Sequence, residues 1–146
     1  TIHSCRAVVV GFGRVGITLT RVLLALGART TVAARNLAQL ARAEEMGAST
    51  IHLSSLSQAT SSADVVFNTV PAVVLTEEVI KGMRPGSLII DLASQPGGTD
   101  FQAAARYGVK AIHALGLPGK VAPRTAGAIL AEALPQMIRR QLTRLR

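Results

Sequence analysis

Apolar positions along this chain follow two periods, and the switch between them repeats from end to end. Short apolar runs of strand length occur at Ala7–Val10, Arg29–Ala34, Thr50–Leu53, Ala63–Asn68, Ser87–Asp91 and Val109–His113. Between them, apolar residues recur every three or four positions, the period of an amphipathic helix. Val15, Leu19, Val22, Leu23 and Leu26 have that spacing, and Gly27 follows as a stop. Leu37–Met46 reads as a second helix ended by Gly47, and Leu56–Ala63 as a polar, weakly helical crossover. Thr76–Met83 reads as a helix before an Arg84–Gly86 turn, and Thr99–Tyr107 as a helix capped by Thr99. After His113 the pattern predicts a loop rich in Gly and Pro, then a long amphipathic helix bent at Pro135.

Strands that alternate with crossovers predict an α/β fold. The expected form is a Rossmann-type doubly wound parallel sheet in a three-layer αβα arrangement, with strand order 3-2-1-4-5-6 over residues 1–146 as one domain. Such sheets bind ligands beyond the carboxyl ends of their strands, so the loops of interest begin at Gly11, Arg35, Thr69, Leu92 and Ala114.

The first of these loops carries G-x-G-x-x-G: Gly11, Phe12, Gly13, Arg14, Val15, Gly16. The spacing alone is a weak signal, but here a strand precedes it and a helix follows. Gly11 then permits a tight turn, Gly13 lets backbone approach a pyrophosphate, and Gly16 allows close helix–strand packing. The amides at the helix start would face the negative charge. The end of the second strand selects the nucleotide. A carboxylate there accepts hydrogen bonds from the ribose hydroxyls of NAD, whereas this chain has Ala34, Arg35 and Asn36. A guanidinium offers a 2′-phosphate a planar fork of donors, and Asn36 adds an amide donor, so NADP(H) is expected in preference to NAD.

Composition narrows the picture further. With 146 residues, 49% of them hydrophobic, the chain is long enough to bury a core. Cys5 is its only cysteine, which rules out an internal disulfide or a cysteine zinc site. His3, His52 and His113 are too dispersed for a metal site, and no apolar run has membrane-spanning length. The net charge of +8 raises nucleic acid as a partner, but four of the cations (Arg139, Arg140, Arg144, Arg146) crowd the last helix end. With three Phe and one Tyr to stack on bases, no nucleic-acid role is read from it. Glu44–Glu45 and Glu77–Glu78 do not form a paired-carboxylate site, and Ser94 lacks a base partner, so the residues assign no catalytic acid, base or nucleophile.

The distal half is less generic. "DVVFNTVPAVVLTEEVIKGMRPGSLIIDLASQPGGTDF" and "GLPGKVAPRTAGAILAEAL" resemble the dinucleotide domain of the dipicolinate synthase A-subunit family, and the likeness covers essentially the whole chain. The "MRPGSLIID" turn and strand also resemble alanine dehydrogenase and the 2-hydroxyacid dehydrogenases, the alternative within the enzyme class. The resemblance implies a cytoplasmic oxidoreductase in the mother cell of a sporulating bacterium. It would take dihydrodipicolinate, a small dicarboxylate, to dipicolinate with a pyridine nucleotide and a flavoprotein-like second subunit. A homo-oligomer is expected. Members of that family carry a substrate domain ahead of the nucleotide domain, and this sequence starts directly at the first strand, either as a fragment or as a stand-alone relative.

By the same resemblance, Asn68, Thr69, Val70 and Pro71 would flank the nicotinamide ribose, and Leu92, Ala93 and Ser94 would leave room for a flat ring. Gly116, Leu117 and Pro118 would form a wall beneath the nicotinamide, with Lys120 and Arg124 as the cations within reach of a dianionic substrate. The rival from another class is a nucleotide-sensing regulatory module of the kind attached to potassium channels. Those open with similar glycine loops, but they usually have an acid after the second strand and lack the distal motifs.

Overall fold

The computed structural model describes residues 1–143. Arg144 and Arg146 of the cationic tail lie outside the described residues, as do the side chains of Arg139, Arg140 and Pro118.

Residues 1–114 form one compact unit around a six-stranded, all-parallel sheet of order β3-β2-β1-β4-β5-β6. The strands are β1 (Arg6–Val10), β2 (Arg29–Ala34), β3 (Ser49–His52), β4 (Val65–Asn68), β5 (Leu88–Asp91) and β6 (Lys110–His113). Helices α1 (Arg14–Ala25), α2 (Leu37–Glu45), α3 (Leu56–Thr60), α4 (Glu77–Lys81) and α5 (Phe101–Arg106) make the crossovers, and a 3-10 turn at Leu53–Ser55 precedes α3. Strand order and alternation match the sequence expectation.

The central strand explains the architecture. Ala7, Val8, Val9 and Val10 are all buried, as both faces of a parallel strand must be when helices cover each side. Ala7 and Val9 pack with Val32 and Ala34 against Leu23 of α1 and Leu40 and Ala43 of α2. Val8 and Val10 pack with Val66 and Ile89 on the opposite face, against Val79 and Ile80 of α4 and Ala103 and Ala104 of α5.

Two local expectations are corrected. Asp100, not Thr99, caps α5, accepting from Ala103 N at 2.9 Å. The Thr99 hydroxyl instead donates to the buried Asp91 carboxylate at 2.7 Å, so a tertiary partner takes the side chain that the local pattern assigned to the cap. The Gly- and Pro-rich segment after His113 is not all loop, because Leu117–Val121 forms a helix, α6. Pro118 sits in its first turn, where a missing N–H costs no intrahelical bond. α6 and α7 (Pro123–Thr143) belong to a second compact unit that begins at Leu115, and α7 runs through Pro135 as one continuous helix. Among the described residues, no helix is long and apolar enough to cross a membrane.

At the opposite end of the sheet from the ligand loops, Asp64 ties three segments together. Its carboxylate accepts from Arg6 N at 2.8 Å and from the Arg84 guanidinium at 2.7 Å. The hydrogen bond from the Arg6 backbone, reinforced by the Arg6 and Arg84 charges, holds its pKa below the usual carboxylate range. A depressed folded-state pKa stabilises the fold above the unfolded pKa of about 4, and the contribution fades as pH falls through the folded value. Asp64→Asn is therefore expected to be modestly less stable than the wild type at pH 7, with the two denaturation curves converging below about pH 4. A gap in urea midpoint that persists unchanged to pH 2 would contradict this linkage.

Candidate functional site

β1 lies between β2 and β4, so the crossovers leave it in opposite directions and open a crevice at its carboxyl end. A cavity of about 590 Å³ occupies this place. Its wall is formed by three loops to which the sequence pointed: Gly11–Val15 after β1, Ala34–Asn36 after β2, and Thr69–Pro71 after β4. Ala33, Gln39 and Leu53 complete it, and sequence reasoning missed these three. Leu53 was discoverable as an apolar residue immediately beyond β3 at the same sheet end. Gln39 lies in the first turn of α2, which begins beside the cavity.

The glycine loop is built for close approach. Gly11 has φ +91°, a conformation that a β-carbon disfavours, and a Cβ there would stand 2.6 Å from Thr69 Oγ1. A Cβ on Gly16 would overlap the Gly11 carbonyl oxygen, so the first turn of α1 can sit against the loop only if residue 16 has no side chain. Gly13 differs, because a Cβ there meets nothing within 4 Å. Gly13 is the N-cap of α1 and brings no side-chain cap, which leaves the first-turn amides beside the cavity without a partner from that position. The loop is fastened on both sides: Gly11 N donates to Ala33 O at 2.8 Å, and Thr69 donates its backbone N (2.9 Å) and its Oγ1 (2.8 Å) to Val10 O.

Arg35 is exposed at the cavity edge, and Phe12, also on the cavity wall, is buried. Asn36 caps α2, its Oδ1 accepting from Ala38 N at 2.8 Å and Gln39 N at 3.3 Å, which commits the oxygen and not the amide nitrogen. Among the described residues that line the cavity none is acidic, and Arg14 and Arg35 supply two cations.

Other residues singled out from the sequence stand apart from this wall. Asn68 is fully buried, donating to Asp91 Oδ1 and Val70 O, each at 3.0 Å, and accepting from Val70 N at 3.1 Å. Ala93 is buried, Ser94 is exposed, and Leu92 lines a separate apolar groove along α1 with Arg14, Val15, Thr18, Leu19 and Val22. His113 donates Nε2–H to Ala93 O at 3.0 Å, the structural bond expected of a lone histidine. In the second unit, Gly116 (φ +64°) precedes α6, Leu117 begins it, and Lys120 and Arg124 are exposed.

A parallel sheet of this order with a glycine loop at its switch point defines a Rossmann-type domain of the dehydrogenase kind. Residues 1–144 match the model of the alanine dehydrogenase/PNT C-terminal domain, and the chain belongs to that family. More particularly, it is similar to the A-subunit of dipicolinate synthase from Bacillus subtilis (strain 168), at 47% identity over 94% of this chain and 46% of that protein. The crystal structure of the dipicolinate synthase A-subunit from Bacillus halodurans superposes with a TM-score of 0.92 at 47% identity, covering 94% of this chain and 47% of that one. An L-alanine dehydrogenase structure shares the fold, with a TM-score of 0.71 at 19% identity over 90% of this chain and 42% of that one. The chain spans about half the length or less of the curated relatives it matches.

Proposed function

We propose that this chain is the NADP(H)-binding half of an oxidoreductase of the dipicolinate synthase type. The observation that carries the reading is the 47% identity to the dipicolinate synthase A-subunit over 94% of the chain. The cavity at the switch point of the sheet supports it. In this reading the pyrophosphate lies over Gly13 against the uncapped amides of α1, and the adenosine ribose lies beside Ala34–Asn36. The nicotinamide end passes Thr69–Pro71 toward Leu92–Ser94. Arg35, with no acidic residue among the described cavity-lining positions, favours the 2′-phosphate of NADP(H) over the free hydroxyl of NAD(H).

The bound nucleotide supplies a hydride acceptor. Held by Gly11–Val15 and Ala34–Asn36, it would take up the hydride that dihydrodipicolinate gives up, with release of a proton, in becoming dipicolinate. Hydride transfer requires the substrate to be aligned against the nicotinamide with water excluded. The cavity-lining residues form one wall of such a cleft, and a substrate domain forms the other. The dicarboxylate, the mother-cell setting and the flavoprotein-like second subunit belong to this same reading.

The test is direct. The 146 residues alone should bind NADPH, followed by nucleotide fluorescence, and form no dipicolinate from enzymatically generated dihydrodipicolinate. Joining them to a family substrate domain should restore turnover. Failure to bind NADPH would overturn the nucleotide assignment, and robust turnover by the 146 residues alone would overturn the division of labour.

A further inference from the structure

The carboxyl end of β5 holds a side chain that the cofactor reading does not use. Asp91 is fully buried, and each of its oxygens accepts two hydrogen bonds. Oδ1 accepts from Asn68 Nδ2 (3.0 Å) and Ala93 N (3.0 Å), and Oδ2 from Gly98 N (2.8 Å) and the Thr99 hydroxyl (2.7 Å). All four partners are donors, matching the acceptor-only inventory of an ionised carboxylate. Charge-assisted bonds of this kind are the strong ones, and a buried carboxylate with all its bonds made over-determines the positions of its donors.

Those donors sit at the end of β4 (Asn68) and in the segment after β5 (Ala93, Gly98 and Thr99). Because the Asp91 oxygen can only accept, it fixes which end of the Asn68 amide faces it, namely the nitrogen. The Asn68 oxygen is thereby turned to the Val70 amide, at 3.1 Å, and the same nitrogen also donates to Val70 O, at 3.0 Å. Val70 lines the cavity. From the other side, Gly98 O accepts from Val74 N and Leu75 N, each at 3.0 Å. A Cβ on Gly98 would overlap both the Asn68 nitrogen and Val70 O, so the two loops lie backbone to backbone.

We infer that Asp91 is a positioning residue for the cavity wall at Thr69–Pro71, acting through Asn68 on the backbone of Val70 and through Gly98 and Thr99 on the loop beneath it. The inference rests on the dinucleotide reading, in which that wall meets the nicotinamide half, and it gives Asn68 a role one step back from the ligand. Because the adenosine half lies across the switch point on Gly11–Asn36, loss of Asp91 should affect one end of the nucleotide and spare the other.

Two probes separate the ends: NADPH, which spans the site, and adenosine 2′,5′-bisphosphate, which has no nicotinamide. Asp91→Asn presents an amide to a pair of donors, which breaks the network without changing side-chain size. Thr99→Val removes one donor with little change in volume and carries the test if Asp91→Asn does not fold. The expected result is NADPH affinity lowered about tenfold, the scale of one charge-assisted hydrogen bond, with bisphosphate affinity unchanged within about twofold. The nicotinamide emission of bound NADPH should move toward that of the free nucleotide. Equal losses for both probes, as general loosening of the fold would give, would overturn the inference, and so would unchanged NADPH affinity and emission in a folded variant. A wild-type protein that binds neither probe would overturn the dinucleotide reading itself, and this inference with it.

Discussion

Replacing Gly13 by Val is expected to abolish NADPH binding in a protein that still folds. Gly13 has φ −83° and ψ −165°, an extended conformation that a β-branched residue adopts readily, and a Cβ there meets no atom within 4 Å. The stability cost should therefore be near that of a surface substitution, about 0.5 kcal/mol. The space that the side chain enters is the cavity in front of the α1 amides, where the pyrophosphate has to reach the backbone. Gly16→Ala is the control with the opposite signature. Its Cβ overlaps the Gly11 carbonyl, so it should destabilise the fold by about 1–3 kcal/mol, the usual cost of overpacking. Urea denaturation and fluorescence titration on the two variants separate the effects. Retained NADPH binding in folded Gly13→Val would mean that this loop is not the phosphate site.

The second large effect concerns nucleotide choice. NADPH should bind more tightly than NADH by about 1–3 kcal/mol, the worth of hydrogen bonds to a charged group. Arg35 stands at the exposed end of β2 on the cavity wall, and no carboxylate accompanies it there among the described residues. Arg35→Asp removes the cation and adds an acceptor that repels a 2′-phosphate while accepting from ribose hydroxyls. The preference should then reverse, with most of the change in NADPH affinity. Titrating both nucleotides into wild type and variant measures it. Equal wild-type affinities, or a preference that survives Arg35→Asp, would remove Arg35 from the selector role.

The sheet and the glycine loop are legible in the amino-acid order, because the signals for both are local. Period-two and period-3.6 patterning sets strands and helices, and chirality then restricts the crossovers to one hand, which leaves little freedom in strand order. The G-x-G-x-x-G spacing places Gly11, Gly13 and Gly16 within a single turn of chain, and Gly16 was legible because its neighbour is the loop that precedes it. Features that depend on partners distant along the chain emerge only on folding. Asp91 reads as the polar end of an apolar strand until folding brings Asn68, 23 residues earlier, to its carboxylate. The same carboxylate draws the Thr99 hydroxyl away from the helix end and leaves the cap to Asp100. Leu53 and Gln39 join the cavity wall only because β3 and α2 end and begin at one edge of the sheet. A local pattern states which conformations a residue favours. Which buried donor a carboxylate meets depends on strand register, and register is settled by the burial of sheet faces against elements distant along the chain.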